Sequence, residues 1–185
     1  MTSISALIKT HQETIEKLHE LIPQIEKIAA HLIQAAKTHH TIFWMGNGGS
    51  AADSQHMAAE LISRFQKERR PIASIALTTD TSILTAISND YDFDLVFSRQ
   101  LEGLCKSSDV VIGISTSGNS QNVLKGIETA KSKGAITIAL TGNNGGKLKP
   151  LADECLVIPA HVTARIQEAH TLVAHILCEM VEEAL

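Results

Sequence analysis

The chain has 185 residues, with 16 Lys or Arg and 20 Asp or Glu, which gives a formal net charge of -4 and a pI near 6.1. This length suits one compact domain with a continuous hydrophobic core, so we expect residues 1–185 to form a single domain. The acidic balance argues against a broad nucleic-acid surface, because binding to a phosphate backbone depends on clustered Lys and Arg. We therefore expect no nucleic-acid partner.

The three cysteines, Cys105, Cys155 and Cys178, stand far apart and include no C-x-x-C pair of the kind found in zinc and thiol-exchange sites. The first residues lack the basic flank and the unbroken apolar run of a secretion signal. No later segment has the length of a membrane-spanning helix. A reducing compartment fits this composition best, so we expect a cytoplasmic protein with no membrane partner.

The N-terminal part of the chain has helical periodicity. Apolar residues at positions 4, 8, 15, 18, 22, 25, 29 and 32 recur at steps of three, four or seven, which predicts one apolar stripe that only His11 interrupts. Pro23 lacks a backbone donor and suits the first turn of a helix, so we predict two consecutive helices, roughly Ser3–Leu21 and Gln24–Thr38. Residues 1–40 would then form a helical arm, which we expect to pack against another subunit.

Short apolar runs follow the arm and alternate with helix-like stretches. Alternation of strand and helix predicts a parallel sheet, and strands with few polar residues indicate that helices cover both faces. We therefore predict an α/β fold, a three-layer α/β/α sandwich with a central five-stranded parallel sheet and a final helix, Thr163–Ala184. The predicted strands are Thr41–Met45, Ala73–Leu77, Val110–Ile114, Ala135–Leu140 and Cys155–Ile158.

The first predicted strand leads into a glycine-rich loop, Gly46-Asn-Gly-Gly-Ser50, and then into a helix beginning near Ser50. We expect Asp53 to complete a capping box with Ser50. Glycines permit close approach of the backbone, and the free N–H groups of a helix N-terminus stabilise an anion. Alone, this loop would also be compatible with an ordinary turn.

A second loop repeats the arrangement after the third predicted strand. The run Ser115-Thr-Ser-Gly-Asn-Ser120 brings four hydroxyls and several amides to the start of a helix from Gln121, although Ser120 alone would be compatible with a simple helix cap. Ligands of open parallel sheets bind beyond the carboxyl ends of the strands, where both loops would lie. The two loops together predict one oxyanion pocket, and neither matches a dinucleotide or P-loop motif.

Two pairs of polar residues could bind a metal ion. His56 and Glu60 are four apart on one helix face, a spacing that can chelate one ion. Gln167 and His175 are eight apart, about 12 Å along a helix, so one ion would join both only if the helix bends or if they come from different subunits. Singly, His56 would be an ordinary surface or packed imidazole, and Glu60 a solvated helix position.

Four segments together carry a family resemblance. They are Gly-Asn-Gly-Gly-Ser at 46–50, Ser-Asn-Asp at 88–90, Ile-Ser-Thr-Ser-Gly-Asn-Ser at 114–120 and Ala-Arg-Ile-Gln-Glu-Ala-His at 164–170. The chain resembles the sugar isomerase (SIS) domain family with its flavodoxin-like fold, and more closely the phosphoheptose isomerases. The resemblance runs from the helical arm to the last helix. It implies a homotetramer with active sites between subunits.

The resemblance also implies the reaction and the site residues. Members of this family convert sedoheptulose 7-phosphate to a manno-heptose 7-phosphate through a cis-enediol, a step toward heptose precursors of lipopolysaccharide core or another glycoconjugate. Phosphate would be held by Ser115, Thr116, Ser117 and Ser120. The remaining substrate contacts would come from Asn47, Gly48, Gly49, Ser50, Glu60, Arg64, Asn89, Asp90 and Gln167.

One zinc ion per subunit would be held by His56, Glu60, Gln167 and His175, a nitrogen and oxygen set that suits this metal. The zinc would stabilise the enediol oxyanion as a Lewis acid, while Glu60 and His175 handle the proton. The order in which these two residues act stays open. His170 has no matching role and is expected to be structural, and Arg64 could instead form a surface salt bridge.

The main alternative function is a non-catalytic scaffold. A tetrameric relative of the same fold associates with the bacterial replication initiator, and the segments from Gln55 and from Arg64 resemble it. That relative lacks the acidic and imidazole groups at the positions of Glu60 and His175, which this chain has, and fold alone does not establish activity. An isomerase for a shorter sugar phosphate is a third possibility.

Overall fold

The computed structural model describes residues 3–185. Its strands are β1 (Ile42–Gly46), β2 (Ser74–Ala76), β3 (Val110–Ser115), β4 (Ile136–Gly142) and β5 (Glu154–Ile158). They form one sheet in the order β2-β1-β3-β4-β5, in which every neighbouring pair is parallel. This confirms the predicted five-stranded parallel sheet, and no strand end differs from its predicted position by more than two residues.

Helices separate the strands along the chain. The α-helices are α1 (Ile4–Glu16), α2 (Ile22–Lys37), α3 (Gly49–Ile62), α4 (Thr81–Asp90), α5 (Ser98–Leu104), α6 (Gln121–Ser132), α7 (Leu148–Leu151) and α8 (Thr163–Glu183). Two 3-10 helices span Lys17–Leu21 and Phe93–Leu95. Within residues 3–185, no helix combines the length and the apolar character needed to cross a membrane.

The sheet is buried on both faces, as the apolar strands predict. Ile42 and Trp44 of β1 belong to a hydrophobic cluster formed with α2, α3 and α8, whereas Phe43 and Met45 belong to a second cluster formed with α5 and α6. Successive side chains of a strand point to opposite faces, so an uninterrupted apolar strand supplies both clusters. The result is the predicted three-layer arrangement.

The helical arm consists of α1, a 3-10 turn and α2, with Pro23 in the first turn of α2 as predicted. The apolar stripe divides into two parts. Its later residues, including Ile25 and Leu32, are buried against the sheet, whereas Ile4 and Ile8 of α1 remain 78% and 55% exposed. The first part of the arm therefore presents an apolar face that residues 3–185 do not cover.

Candidate functional site

The glycine-rich loop connects β1 directly to α3. The helix begins at Gly49, one residue earlier than expected, so Ser50 lies inside its first turn and is buried. The Asp53 carboxylate accepts a hydrogen bond from the Thr171 hydroxyl at 3.0 Å, and no side chain caps this helix. The predicted capping box of Ser50 and Asp53 is therefore wrong, because the early start of α3 turns Asp53 toward α8.

The serine-rich loop, residues 115–120, begins at the last residue of β3, which is the neighbour of β1 in the sheet. The hydroxyls of Ser115 and Ser120 are 2.9 Å apart and hydrogen-bond to each other, while the Ser117 hydroxyl accepts from the Asn119 amide. Ser120 stands at the N-cap of α6, yet its hydroxyl makes no capping bond. The hydroxyl groups of Ser115 and Ser120 thus point to each other beside the first turn of α6.

Close backbone contact fixes the position of this loop. Gly118 has a φ of +67°, and a Cβ on it would lie 2.1 Å from the Gly145 carbonyl oxygen. The Gly118 carbonyl accepts from the Leu148 amide, and the Thr116 carbonyl accepts from the Gly142 amide. A residue with a side chain could not occupy position 118 without displacing the loop that follows β4.

A reciprocal amide pair joins the two loops. Asn47 donates to Asn122 at 2.8 Å, and Asn122 donates back at 2.9 Å, while the Asn122 oxygen also accepts from the Val123 amide. Because β1 and β3 are parallel neighbours, their carboxyl ends meet at one edge of the sheet. The amide pair holds the glycine-rich loop to the start of α6 at that edge.

Helices α3 and α8 lie side by side and run in the same direction. Gly49 faces Gln167 at their N-terminal ends, and Asp53 faces Thr171 one turn later. Further along, the His56 and His175 rings meet edge-on with centroids 4.9 Å apart. Each helix therefore contributes one contacting residue about every turn, and these residues pair in the same order along α3 and α8.

His56 and Glu60 of α3 and His175 of α8 form a cluster in the second half of the contact between these two helices. Their candidate ligand atoms all lie within 4.8 Å of one another, and His56 Nε2 is 3.0 Å from Glu60 Oε1. The Phe65 ring stacks on the His175 imidazole with centroids 5.6 Å apart. Two imidazole nitrogens and a carboxylate oxygen are ligands that zinc prefers, so the residues present fit this metal.

Gln167 lies apart from this cluster within the chain. Helix α8 is continuous from Thr163 to Glu183, so Gln167 and His175 are two turns apart, about 12 Å. Gln167 contacts Gly49 at the start of α3, whereas Glu60 is eleven residues further on, about 16 Å along that helix. The loops therefore lie at the start of α3, and the His56–Glu60–His175 cluster lies along its second half.

Asp53 is a polar residue of this site that we had predicted to be a helix-capping residue. Burial raises the pKa of its carboxyl group, and this effect exceeds the opposing influence of the Thr171 hydrogen bond and the nearby His56 and His175. Its spacing of three and seven residues from His56 and Glu60 places it on the same helix face. That spacing was a usable indication that Asp53 faces α8.

Three of the predicted substrate-contacting residues outside the two loops are exposed. Asn89 and Asp90, at the end of α4, hydrogen-bond to each other at 2.8 Å and make no side-chain hydrogen bond to either loop in the described part of the chain. Arg64, just beyond α3, makes no ion pair within residues 3–185, so the surface salt bridge considered for it is not observed.

His170 is buried on the opposite side of α8 from the His56–Glu60–His175 cluster. Its Nε2 atom lies 3.0 Å from the Thr141 carbonyl oxygen, which assigns the N–H to this nitrogen, and its Nδ1 atom has no hydrogen-bond partner among the described residues. Burial lowers the pKa of His170 to about 4, despite the opposing effect of the Thr141 hydrogen bond. A neutral imidazole tied to the end of β4 fits a structural role.

The sequence of this chain was compared with those of known protein families. The family model described as "SIS domain" matches residues 6–142. The phosphoheptose isomerase of Aquifex aeolicus is 55% identical over 160 residues, which cover 86% of this chain and 84% of that protein. The chain belongs to the phosphoheptose isomerases of the SIS family. The phosphoheptose isomerase of Nitratiruptor sp. is 53% identical over 94% of both chains.

Solved structures of this family share the whole fold. The phosphoheptose isomerase from Neisseria gonorrhoeae superposes with a TM-score of 0.93 at 40% identity over 97% of both chains. The one from Francisella tularensis gives 0.91 at 33% identity, over 99% of this chain and 100% of that one. These comparisons confirm the predicted fold and the class of aldose–ketose isomerase, and they do not favour the scaffold alternative.

Proposed function

We propose that the chain is a sedoheptulose 7-phosphate isomerase that forms D-glycero-D-manno-heptose 7-phosphate through a cis-enediol. The relatives named phosphoheptose isomerase support this substrate, because the chain covers nearly their full length. The observation that most directly supports the chemistry is the convergence of His56, Glu60 and His175 from α3 and α8. Such a cluster provides both metal ligands and proton-transfer groups at one place.

The phosphate group would bind at the carboxyl edge of the sheet. The serine-rich loop supplies hydroxyls and the first-turn amides of α6, which stabilise an anion without a Lys or Arg. The paired hydroxyls of Ser115 and Ser120 would turn their hydrogens from each other to the phosphate oxygens. We assign Ser115, Thr116, Ser117 and Ser120 to this role.

The sugar would contact the glycine-rich loop next to the phosphate. Side-chain amide groups of Asn47 are already bonded to Asn122, so the contribution of this loop comes mainly from the exposed backbone of Gly48 and Gly49 and from Ser50. A cavity of about 160 Å³ beside Gly48, lined also by Phe93 and Phe97, adjoins the loop. We assign Asn89, Asp90 and Arg64 to the same substrate, since the side chains of all three face solvent and are accessible to it.

Zinc would bind at His56, Glu60 and His175, with Gln167 as the fourth ligand and one ion per subunit. Bound zinc would supply a Lewis acid that stabilises negative charge on the enediol oxygens. Gln167 lies about 12 Å along α8 from His175, so its participation in one site requires either a different side-chain orientation or a second subunit.

Glu60 and His175 would transfer the proton. One group removes the proton on carbon 1 of the ketose, and a proton returns to carbon 2 to give the aldose. Glu60 Oε1 is directed at His56, so its second oxygen remains available to act as base. A positioned acid and base contribute roughly 10² to 10⁴-fold in such a step.

The assembly would be a homotetramer whose active sites lie between subunits. Two features of the chain support this proposal. Apolar residues of α1 are exposed, and the loops lie at the start of α3 whereas Glu60 lies about 16 Å further along that helix. We further propose a cytoplasmic enzyme that supplies heptose for lipopolysaccharide core or another glycoconjugate.

An isomerisation assay with several ketose phosphates tests the function. We expect conversion of sedoheptulose 7-phosphate, loss of activity on treatment with a chelator, and recovery on addition of zinc. Preferential turnover of a five- or six-carbon ketose phosphate would show that the substrate is a shorter sugar phosphate than the one proposed. A zinc-loaded, folded protein that converts none of them would support the scaffold alternative.

A further inference from the structure

The segment between α3 and β2, residues 63–73, contains no helix or strand. A segment of this kind is ordered only where its backbone N–H and C=O groups find partners. Its three consecutive amides at Phe65, Gln66 and Lys67 donate to the carboxylate of Glu182, at 3.0, 2.7 and 2.7 Å. One side chain near the end of α8 therefore anchors this segment.

The Glu182 carboxylate is buried and ionised. Its side chain is 2% exposed, and Arg69 Nε lies 3.2 Å from Oε1, at ion-pair distance but not aligned for a hydrogen bond. Burial raises the pKa of Glu182, but the amides of residues 65–67 and the charge of Arg69 lower it by more, so the pKa is below its usual range. A buried ion pair contributes little net stability compared with apolar packing, which favours a geometric role for this one.

Arg69 extends the anchor to the end of α3. Its guanidinium donates to the backbone carbonyls of Glu60 at 2.7 Å and Leu61 at 2.9 Å. A cation that satisfies the last carbonyls of a helix stabilises its final turn. The backbone of Glu60, one of the proposed catalytic residues, is thus held by the partner of Glu182.

Phe65 extends the anchor to His175. Its amide is bonded to Glu182, and its ring lies nearly parallel to the His175 imidazole, at an interplanar angle of 22°. His175 also contacts His56, whose ring meets it edge-on at 81°. Two rings therefore contact the His175 imidazole, and one of them belongs to the segment that Glu182 anchors.

We propose that Glu182 is a positioning residue for the His56–Glu60–His175 cluster. It fixes Phe65 against His175 through the backbone of residues 65–67, and it fixes the turn that carries Glu60 through Arg69. The inference rests on the proposed function, because it concerns the orientation of the groups that would bind zinc and move the proton.

The test compares Glu182→Gln with Glu183→Gln. Glu183 is the next residue of α8, is 62% exposed and pairs with Lys67 at 3.8 Å, so it provides the same change of charge beside the same segment. Hydrogen exchange of the amides at 65–67 should become at least about tenfold faster in Glu182→Gln only. Zinc affinity, measured by competition with a chelator, should fall about 10- to 100-fold in the same variant.

NMR resonances of the histidine rings in the metal-free protein distinguish a change in the position of His175 from a general loss of stability. The His175 resonance, assigned by its absence in His175→Gln, should move in Glu182→Gln and in Phe65→Leu, and should keep its position in Glu183→Gln and Phe65→Tyr. Phe65→Leu leaves the anchor in place and tests only the contact of the ring with His175. Glu182→Asp keeps the charge but withdraws the carboxylate from the three amides, so it decides the question if Glu182→Gln does not fold.

Unchanged His175 resonances and zinc affinity, together with faster exchange at 65–67, would overturn the positioning role and leave Glu182 as an anchor only. Unchanged exchange at these amides would overturn the anchor itself. Absence of turnover in the wild-type protein would refute the proposed function alone, since the resonance and exchange measurements need no substrate.

Discussion

Gln167 occupies the space that a side chain at position 49 would need, because a Cβ on Gly49 would lie 2.1 Å from the Gln167 Nε2 atom. The obstructing atom is the end of a flexible side chain, so Gly49→Ala should fold with Gln167 displaced. We expect stability to change by no more than about 1 kcal/mol, since alanine is the better helix former. We expect kcat/KM to fall on the order of 10²-fold, as for small misplacements of site groups.

Gly103→Ala is the matched control for this substitution. Gly103 is also helical, in α5, and a Cβ there would meet nothing within 4 Å. Thermal unfolding gives the stability of both variants, and steady-state kinetics gives their kcat/KM. Equal activity of Gly49→Ala and wild type would show that the position of Gln167 does not matter for turnover.

Glu60→Gln and His175→Ala should each lose turnover while remaining folded. Both side chains are partly exposed, so their replacement removes proton-transfer groups without opening the core. The rate should fall by roughly 10² to 10⁴-fold. Glu128→Gln, an exposed position on α6, controls for loss of one carboxylate. A near-normal rate in either active-site variant would remove that residue from the mechanism.

His170 should make the stability of the fold depend on pH in mildly acidic solution. The unfolded chain binds a proton near pH 6.5, whereas burial lowers the pKa of the folded-state imidazole to about 4. The unfolded state therefore holds more protons between these values, and stability falls as the pH is lowered through this window. The expected contribution is about 1.4 kcal/mol per pH unit, or about 3 kcal/mol in all.

Denaturant unfolding between pH 6.5 and 4.5 measures this effect. His170→Gln keeps an N–H that can donate to the Thr141 carbonyl and does not titrate, so its free energy of unfolding should vary less with pH. His19→Gln, at an exposed position, controls for the loss of one imidazole. Identical slopes in wild type and His170→Gln would contradict the assignment of a buried neutral His170.

Asn122→Asp should weaken the link between the two loops. A carboxylate at position 122 can still accept from Asn47 but cannot donate back, which leaves the Asn47 oxygen without its partner. We expect a loss of about 1–3 kcal/mol in stability and a higher KM for the sugar phosphate. Asn144→Asp makes the same chemical change at an exposed residue whose oxygen only accepts, and it should leave both quantities unchanged.

Leu7→Glu should reduce the mass of the assembly measured by light scattering. Leu7 of α1 is 49% exposed beside Ile4 and Ile8, on the apolar face that we propose is covered by another subunit. Leu104, on α5, is 47% exposed, so Leu104→Glu introduces the same charge at an equally accessible leucine. Retention of the wild-type mass by Leu7→Glu would exclude this face from the subunit contacts.

Local features of the chain were predictable because they depend on neighbouring residues. The strands follow from uninterrupted apolar runs such as Val110–Ile114, and the start of α2 follows from Pro23. The spacing of His56 and Glu60 likewise placed them on one helix face. These inferences need only the periodicity of a strand or a helix.

Features that the sequence did not predict join residues far apart along the chain. The Asn47–Asn122 pair spans 75 positions, and the bonds from residues 65–67 to Glu182 span more than 110. A Glu at the end of a helix and an Asn in a loop have many possible partners, and only the folded chain selects among them. The wrong capping box at Ser50 has the same origin, since Thr171 on α8 competes for Asp53.

The contact of Gly118 with Gly145 and Gly146 bears on any attempt to transplant the serine-rich motif into another sheet. The motif rests directly on the main chain of the connection after the next strand, with no side chain between the two. A graft of residues 115–120 alone would lack the backbone of Gly145 and Gly146, against which the motif packs. The transferable module is therefore the pair of loops together with two adjacent strands, and a designer would have to move both.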